Sequence, residues 1–146
     1  METDPEAFYV LIEALGIGLL IGIERERSTH KPSDGASTGV RTFALASLIG
    51  AISMMTGGVP LLMVAVATVA IIRIVSVAQQ SDPNIGLTTS LALVSVVLLG
   101  GFATEKTMLA AGAAVVIASL LAAREMLQGF SRSILTAAEL RDGLIL

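Results

Sequence analysis

The chain has 146 residues, of which 54% are hydrophobic and only 14% are charged, and its formal net charge at pH 7 is -3. Soluble domains carry about 25% charged residues, so this composition excludes an ordinary water-soluble globule and indicates lipid as the surrounding solvent. The acidic charge, one Tyr, one His and no Trp provide neither a basic patch nor a stacking platform, which argues against nucleic-acid binding. The lack of cysteine excludes disulfides, thiolate metal sites and thiol nucleophiles.

Apolar runs separated by short polar segments predict an all-α membrane bundle. A membrane-spanning helix needs about 20 apolar residues. The first run follows Asp4-Pro5, an acidic N-cap with proline at the first helical position. The runs cover residues 8–23, 43–55, 59–77, 85–102 and 107–123. The sequence therefore predicts a polytopic bundle of about five transmembrane helices, with a tight turn at residues 56–60.

The basic residues predict the orientation of this bundle. Five spans place the termini on opposite sides, and of the nine basic residues only Lys106 falls on the side of the N-terminus. The other eight fall on the opposite side: Arg25, Arg27, Lys31, Arg41, Arg73, Arg124, Arg132 and Arg141. Because loops rich in Lys and Arg stay in the cytoplasm, we expect the N-terminus outside and the C-terminus in the cytoplasm.

The last residues of the sequence resemble the beginning of another helix. Thr136-Ala-Ala-Glu139 forms a capping box, followed closely by an apolar Leu-Ile-Leu. Two interpretations stay open, a short interfacial helix on the inner face of the membrane and the start of a second domain in a longer protein. We expect a membrane domain over residues 1–133 and a following helix or second domain over residues 134–146.

Glu13 places a carboxylate inside the first predicted span. Such a group costs about 2.5 to 3.5 kcal/mol in a membrane helix and usually faces the protein interior. At 100° per residue, Glu13 shares a helix face with Ile17, Leu20 and Glu24. One interpretation is a carboxylate that handles protons or cations on a pathway. The other is a side chain near the outer interface, where water reaches it.

Further polar candidates lie at the predicted cytoplasmic ends of the spans. Glu24, Arg41 and Arg73 are predicted to form an ion-pair cluster at the mouth of the bundle, although simple interfacial anchoring also explains charges at these places. Thr88 and Thr89 open the fourth span. Their hydroxyls either cap the helix or contribute to a site for an anion or a carbonyl group.

Gly18 and Gly22 form a G-x-x-x-G pair in the first span. Small residues at this spacing let helix backbones approach closely, either within one subunit or across a dimer interface. We therefore expect the lipid bilayer as the main partner, a homo-oligomer with a dimer favoured, and other membrane proteins as further candidate partners.

Enzymatic residues are not evident in the sequence. There is no nucleophile with a neighbouring base and acid, no nucleotide-binding loop and no metal-ligand spacing, and the single His30 stands alone. We expect neither enzymatic activity nor a resident cofactor.

Three segments together resemble the membrane domain of the MgtC/SapB family. They are residues 15–26 (LGIGLLIGIERE), 39–45 (GVRTFAL) and 86–90 (GLTTS). The resemblance covers residues 8–130 and implies an integral inner-membrane protein of a bacterium or archaeon. It also implies a connection with growth under magnesium limitation, with Mg²⁺ as a ligand or signal. The motif positions of the family fall here on Glu24, Arg25, Glu26, Arg41, Thr42, Thr88 and Thr89.

Two functions follow as hypotheses. In the first, the domain transports or responds to Mg²⁺ or another small ion or solute, and Glu13, Glu24, Arg41 and Arg73 line a polar path through the bundle. In the second, it is a non-transporting regulatory module that dimerises or docks on partner membrane proteins through the face of Gly18 and Gly22.

Overall fold

A computed structural model of the chain describes residues 5–28, 39–78 and 83–134, with side chains except at 28, 83–87 and 124–134. The regular structure in this part of the chain is entirely helical, as the composition predicts. The helices are α1 (Pro5–Ser28), α2 (Val40–Ala78), α3 (Pro83–Ala103) and α4 (Thr107–Ile134). The predicted capping box at residues 136–139 lies outside the described residues.

Prolines and charged residues mark the helix ends. α1 and α3 each begin at a proline, whose fixed φ and missing N–H suit the first helical position. α1 carries Glu6 in its first turn and Arg25 and Arg27 in its last, and these charges complement the helix dipole. Glu26 Oε2 accepts a 3.3 Å hydrogen bond from the backbone N–H of Val40, so the end of α1 caps the beginning of α2.

α2 contains the two spans predicted at residues 43–55 and 59–77, so there are four helical elements in the described residues and not five separate ones. The difference arises because a single non-helical residue makes the turn between them. Gly58 has φ 61° and ψ -156°, a backbone region that is essentially restricted to glycine. The break divides α2 into a first half (residues 40–57) and a second half (residues 59–78).

Contacts with α3 show that the chain reverses direction at Gly58. Gly50 in the first half and Leu62 in the second half both lie against Gly101 of α3. In an uninterrupted helix, residues 50 and 62 would be about 18 Å apart along the axis. The second half then runs back along α3, because Arg73 reaches Ser90 near the beginning of that helix.

α3 packs against each of the other three helices, whereas α2 and α4 do not touch within the described residues. The core between the helices is apolar and rich in alanine. Its buried members are Ile17, Ile21, Phe43, Ala46, Ala92, Leu93, Val96, Val97, Leu99, Ala103, Ala110, Ala114 and Ala118. Small side chains suit a membrane bundle, where close backbone packing replaces the hydrophobic effect as the force between helices.

Large apolar side chains cover the outside of the bundle. Tyr9, Met63, Ile74 and Met108 are among the most exposed, Met108 at 90%. Soluble proteins rarely expose contiguous apolar surface of this kind. Two helices, Pro5–Arg27 and Val40–Ala78, are long and apolar enough to cross a membrane, and Thr88–Ala103 and Thr107–Ala123 are shorter apolar helices. The exposed surface therefore fits a lipid environment.

Candidate polar site in the helix bundle

Three helices meet at one end of the bundle, which we term the basic end. Glu26 of α1 caps α2 at Val40, and Arg25 of α1 reaches Thr89 of α3. The second half of α2 returns to the same end. The side chains that make these contacts, and that define the basic end, are Arg25, Glu26, Arg73, Thr89 and Ser90.

The contact between Arg25 and Thr89 joins two helices that are distant in sequence. Arg25 donates to Thr89 Oγ1 through Nη2 at 2.6 Å and through Nε at 3.2 Å, across 64 sequence positions. Arg25 is half-buried and Thr89 is only 8% exposed. Hydrogen bonds that involve a charged group contribute about 1.5 to 3 kcal/mol, so this pair fixes the end of α1 against α3.

A second guanidinium reaches the neighbouring residue of α3. Arg73 Nε lies 3.5 Å from Ser90 Oγ, a long and correspondingly weak hydrogen bond. Two arginines from different helices therefore converge on two consecutive hydroxyl side chains. The basic end is a partly buried polar group that ties α1, the second half of α2 and α3 together.

Thr89→Val is expected to lower the free energy of unfolding by about 1.5 to 3 kcal/mol, because Val keeps the shape of Thr but accepts no hydrogen bond from Arg25. Thermal unfolding in detergent measures the change. Thr68→Val is the matched control, since Thr68 is exposed and its hydroxyl donates to Val64 O of its own helix. Equal losses in the two variants would contradict a special role of the contact between Arg25 and Thr89.

The residues predicted for a cluster at this end have different environments. Arg41 and Thr42 lie in the first turn of α2 and are exposed, while Glu24 and Thr88 are half-buried. Arg73 reaches Ser90 of α3, and Arg25, which was not a member of the predicted ion-pair cluster, reaches Thr89 of the same helix. The structure thus assembles two arginines with hydroxyls, and Arg41 lies outside this group.

The pattern of apolar runs and charges did not select Arg25 or Ser90 as site residues; Arg25 was named only as a motif position of the MgtC/SapB family, and Ser90 only as the last residue of the segment 86–90. A signal for Arg25 does exist, because it follows Gly18 and Gly22 at offsets of seven and three residues and so lies on their face of α1. Gly18 and Gly22 of this face pack against α2, and Arg25 at its end reaches α3. For Ser90, no comparable signal distinguishes it from its neighbours.

Gly18 and Gly22 pack against α2 of the same chain. An added Cβ on Gly18 would lie 2.7 Å from Ala44 Cα and from Phe43 O, and one on Gly22 would lie 3.0 Å from Val40 Cα. Both glycines are buried. This face is therefore occupied within the subunit, which is the first of the two interpretations of the G-x-x-x-G pair, and it leaves no room for a helix of a second copy.

Glu13 lies far from the basic end, about 18 Å from Arg25 along the axis of α1. Its side chain is half-buried, and its Oε1 atom is buried without a hydrogen-bond partner in the described part of the chain. Ile17 and Ile21, one and two turns further on, belong to the apolar core. The burial of Oε1 favours the interior position over the water-exposed one.

Among the described residues, no group of three or more His, Asp or Glu side chains is placed to hold a metal ion.

Ser47 is a second buried polar residue, and the sequence pattern did not single it out because serine among alanines and glycines is typical of packing. It is completely buried, and its Oγ has no hydrogen-bond partner within the described residues. Gly18 of α1 and Gly100 of α3 both press against it. Ser47 therefore lies at the level of Gly18, against the face of α1 that is turned about 140° away from Glu13.

A comparison with protein-family models identifies the family. The model of the MgtC family matches residues 11–130. The chain belongs to the MgtC family. The match includes Glu13, Ser47 and the basic end, and it confirms the resemblance that three short segments had indicated. This MgtC-family protein is accordingly a membrane protein of the MgtC type. Neither the curated proteins nor the solved structures give a match.

Proposed function

We propose that this MgtC-family protein moves a small cation across the plasma membrane of a bacterium or archaeon, and that the cation meets Glu13 inside the bundle. The observation that carries the proposal is the buried Oε1 atom of Glu13, which has no hydrogen-bond partner in the described residues. A carboxylate in a membrane helix is costly. Where such groups occur, they face the bundle interior and mark ion pathways or proton relays.

A single carboxylate suits either a proton or a hydrated Mg²⁺ ion. Mg²⁺ loses its water reluctantly and is commonly held by only one or two carboxylates while it keeps several waters. The connection of the family with magnesium limitation favours Mg²⁺ as the transported ion or the signal. In either case the ion is cargo that passes Glu13, and it is not a resident cofactor.

The arginines of the basic end position the helices around this path. Their charge repels a cation at short range, so Arg25 and Arg73 are unsuitable as its ligands. Their bonds to Thr89 and Ser90 instead hold the ends of α1 and α2 against α3. In this proposal Glu13 is therefore the residue of the path that contacts the cation.

In this proposal the protein crosses the membrane five times, with its N-terminus outside and its C-terminus in the cytoplasm. The halves of α2 provide two passes of about 27 and 30 Å, close to the 30 Å thickness of the hydrocarbon core. Arg25, Arg27, Arg41 and Arg73 lie at or next to the basic end, which we assign to the cytoplasm. The turn that carries Glu105 and Lys106 lies at the opposite end.

Flux into liposomes tests the proposal. The complete chain is reconstituted into liposomes that contain a Mg²⁺-sensitive dye or a pH-sensitive dye, and a gradient of Mg²⁺ or of protons is applied. We expect an initial rate above that of protein-free liposomes for at least one of the two ions. Rates equal to those of protein-free liposomes with both dyes would contradict transport.

The alternative function is a non-transporting module that docks on other membrane proteins. The surface predicted for this docking, the face of Gly18 and Gly22, is not free in the subunit. Gly18 and Gly22 are covered by α2 of the same chain. A homodimer stays a prediction, and its interface would have to use another face of the bundle. Transport is the function that the interior of the bundle supports better.

A further inference from the structure

Two arginines approach adjacent sides of α3 at the basic end. Arg25 donates to Thr89 Oγ1 at 2.6 Å, and Arg73 Nε lies 3.5 Å from Ser90 Oγ. Consecutive side chains of a helix point 100° apart, which places these two hydroxyl oxygens about 7 Å from each other. A phosphate that accepts hydrogen bonds of about 2.8 Å on two of its oxygens joins nitrogens about 8 Å apart. The two guanidiniums are therefore spaced to suit one phosphate group.

The first half of α2 faces α3 in the angle between these two hydroxyls. It is in backbone contact with Val97 and Gly100 of α3. At 100° per residue, Gly100 and Val97 lie about 20° and 80° around α3 from Thr89, and Ser90 lies about 100° from it. The first half of α2 therefore covers the face of α3 that lies between Thr89 and Ser90.

The beginning of α2 is also joined directly to the two arginines' end of the bundle. The backbone N–H of Val40 donates to Glu26 Oε2 at 3.3 Å, and the preceding residue of α1, Arg25, reaches Thr89. Consecutive residues of α1 thus contact the start of α2 and the start of α3. The amino end of a helix carries a partial positive charge, which adds here to the charge of the guanidiniums.

Positive charge exceeds negative charge among the described side chains at or next to this end. Four are arginines and two are glutamates: Arg25, Arg27, Arg41, Arg73, Glu24 and Glu26. One of the two carboxylates already caps α2. Basic pockets between transmembrane helices at the cytoplasmic surface bind the head groups of anionic lipids. The surplus of positive charge therefore favours an anionic ligand.

Apolar side chains next to Arg73 indicate that this ligand is a lipid. Ile72 and Ile74 are 58% and 69% exposed, while Arg73 between them is half-buried. A phospholipid satisfies both features, because its acyl chains lie against the exposed apolar surface while its phosphate lies at the arginine. A free phosphate ion would use only the arginine.

We propose that the basic end binds the phosphate of an anionic phospholipid. Arg25 and Arg73 donate to its oxygens beside the amino end of α2, and its acyl chains lie along the second half of α2. The planar fork of each guanidinium matches a pair of phosphate oxygens, which a lysine ammonium does not. The proposal does not depend on ion transport.

Native mass spectrometry of the complete chain in detergent tests the site. Dioleoylphosphatidylglycerol, dioleoylphosphatidylcholine and inorganic phosphate are titrated separately, and the bound mass gives a Kd for each. We expect the wild type to bind the anionic phosphatidylglycerol at least about tenfold more tightly than the zwitterionic phosphatidylcholine. Arg73→Lys keeps the charge but removes the fork, and we expect it to weaken phosphatidylglycerol binding at least about fivefold.

Arg27→Gln is the matched control. Arg27 is exposed and follows Arg25 by two residues in the same helix, so this variant removes one charge from the same end. We expect its Kd for phosphatidylglycerol to stay within about twofold of the wild-type value, since exposed charges contribute little. Attraction by surface charge alone gives the opposite order, with weaker binding in Arg27→Gln and unchanged binding in Arg73→Lys. That order would contradict the site.

Two further results decide between the ligands. Equal Kd values of the wild type for phosphatidylglycerol and phosphatidylcholine would contradict the proposal without reference to any variant. Binding of inorganic phosphate with no preference for the anionic lipid would show a site for a free anion and would also contradict it. Thermal unfolding in detergent without added lipid checks the fold of each variant. If Arg73→Lys does not fold, Arg25→Lys replaces it, with the same expected loss of binding.

Discussion

Gly50→Ala and Gly100→Ala are each expected to disrupt the bundle, with a loss of at least about 3 kcal/mol in the free energy of unfolding, the upper end of overpacking costs. A Cβ on Gly100 would overlap the carbonyl group of Ser47, and a Cβ on Gly50 would overlap that of Val97. Backbone atoms cannot rotate away as a flexible side chain can. The two helices would have to separate along their whole contact, which would remove α3 from its main partner.

Two other glycines provide matched controls for this prediction. Gly16 and Gly112 also lie within helices, but an added Cβ at either place meets no atom of the described residues within 4 Å. Gly16→Ala and Gly112→Ala are expected to change the free energy of unfolding by no more than about 1 kcal/mol, and in the stabilising direction. Thermal unfolding and size-exclusion profiles in detergent measure all four variants. A melting temperature of Gly100→Ala equal to that of Gly16→Ala would contradict the close contact between α2 and α3.

Glu13→Gln is expected to lower the initial rate of ion flux into liposomes at least tenfold, which corresponds to about 1.4 kcal/mol in the barrier to transport. Gln keeps the shape and polarity of Glu but can neither bind a proton nor balance the charge of a cation. Because Oε1 of Glu13 has no hydrogen-bond partner among the described residues, the exchange is not expected to break a bond that holds the fold.

Glu105→Gln is the matched control for the flux measurement. Glu105 is exposed in the turn between α3 and α4, so its charge is removed from the end of the protein without any change in the interior. The control is expected to retain the wild-type rate. A wild-type rate in Glu13→Gln would exclude Glu13 from the path, whereas an equal loss in both variants would point to surface charge as the cause.

The helices could be predicted from the sequence because their causes are local. Apolar runs and the prolines at positions 5 and 83 define where α1 and α3 lie. The turn at residues 56–60 was predicted, but its size was not, since a Gly-Gly-Val-Pro segment is typical of a loop and here only Gly58 departs from helical geometry. α4 continues to Ile134, beyond the predicted end at residue 123, because Arg124 ends the apolar run without breaking the helix.

The polar site could be predicted only in part because it depends on how the helices are rotated. Glu13 stood out because a carboxylate in an apolar run is costly wherever the helix packs. Which arginine contacts α3 could not be predicted in this way. Arg25 and Arg41 both lie near a helix end, and only the packing of α1 against α3 turns Arg25 toward Thr89. Ser47 could be identified only from the structure, in which its hydroxyl is buried and has no hydrogen-bond partner among the described residues.

Uptake and release of a cation by the Glu13 carboxyl group is the central claim, and difference infrared spectroscopy tests it most directly. Spectra of the reconstituted protein are recorded before and after addition of Mg²⁺ or of acid, for the wild type, Glu105→Gln and Glu13→Gln. We predict a carboxyl band that changes in the wild type and in Glu105→Gln and is missing from the difference spectrum of Glu13→Gln. Identical difference spectra in the wild type and Glu13→Gln would contradict the claim.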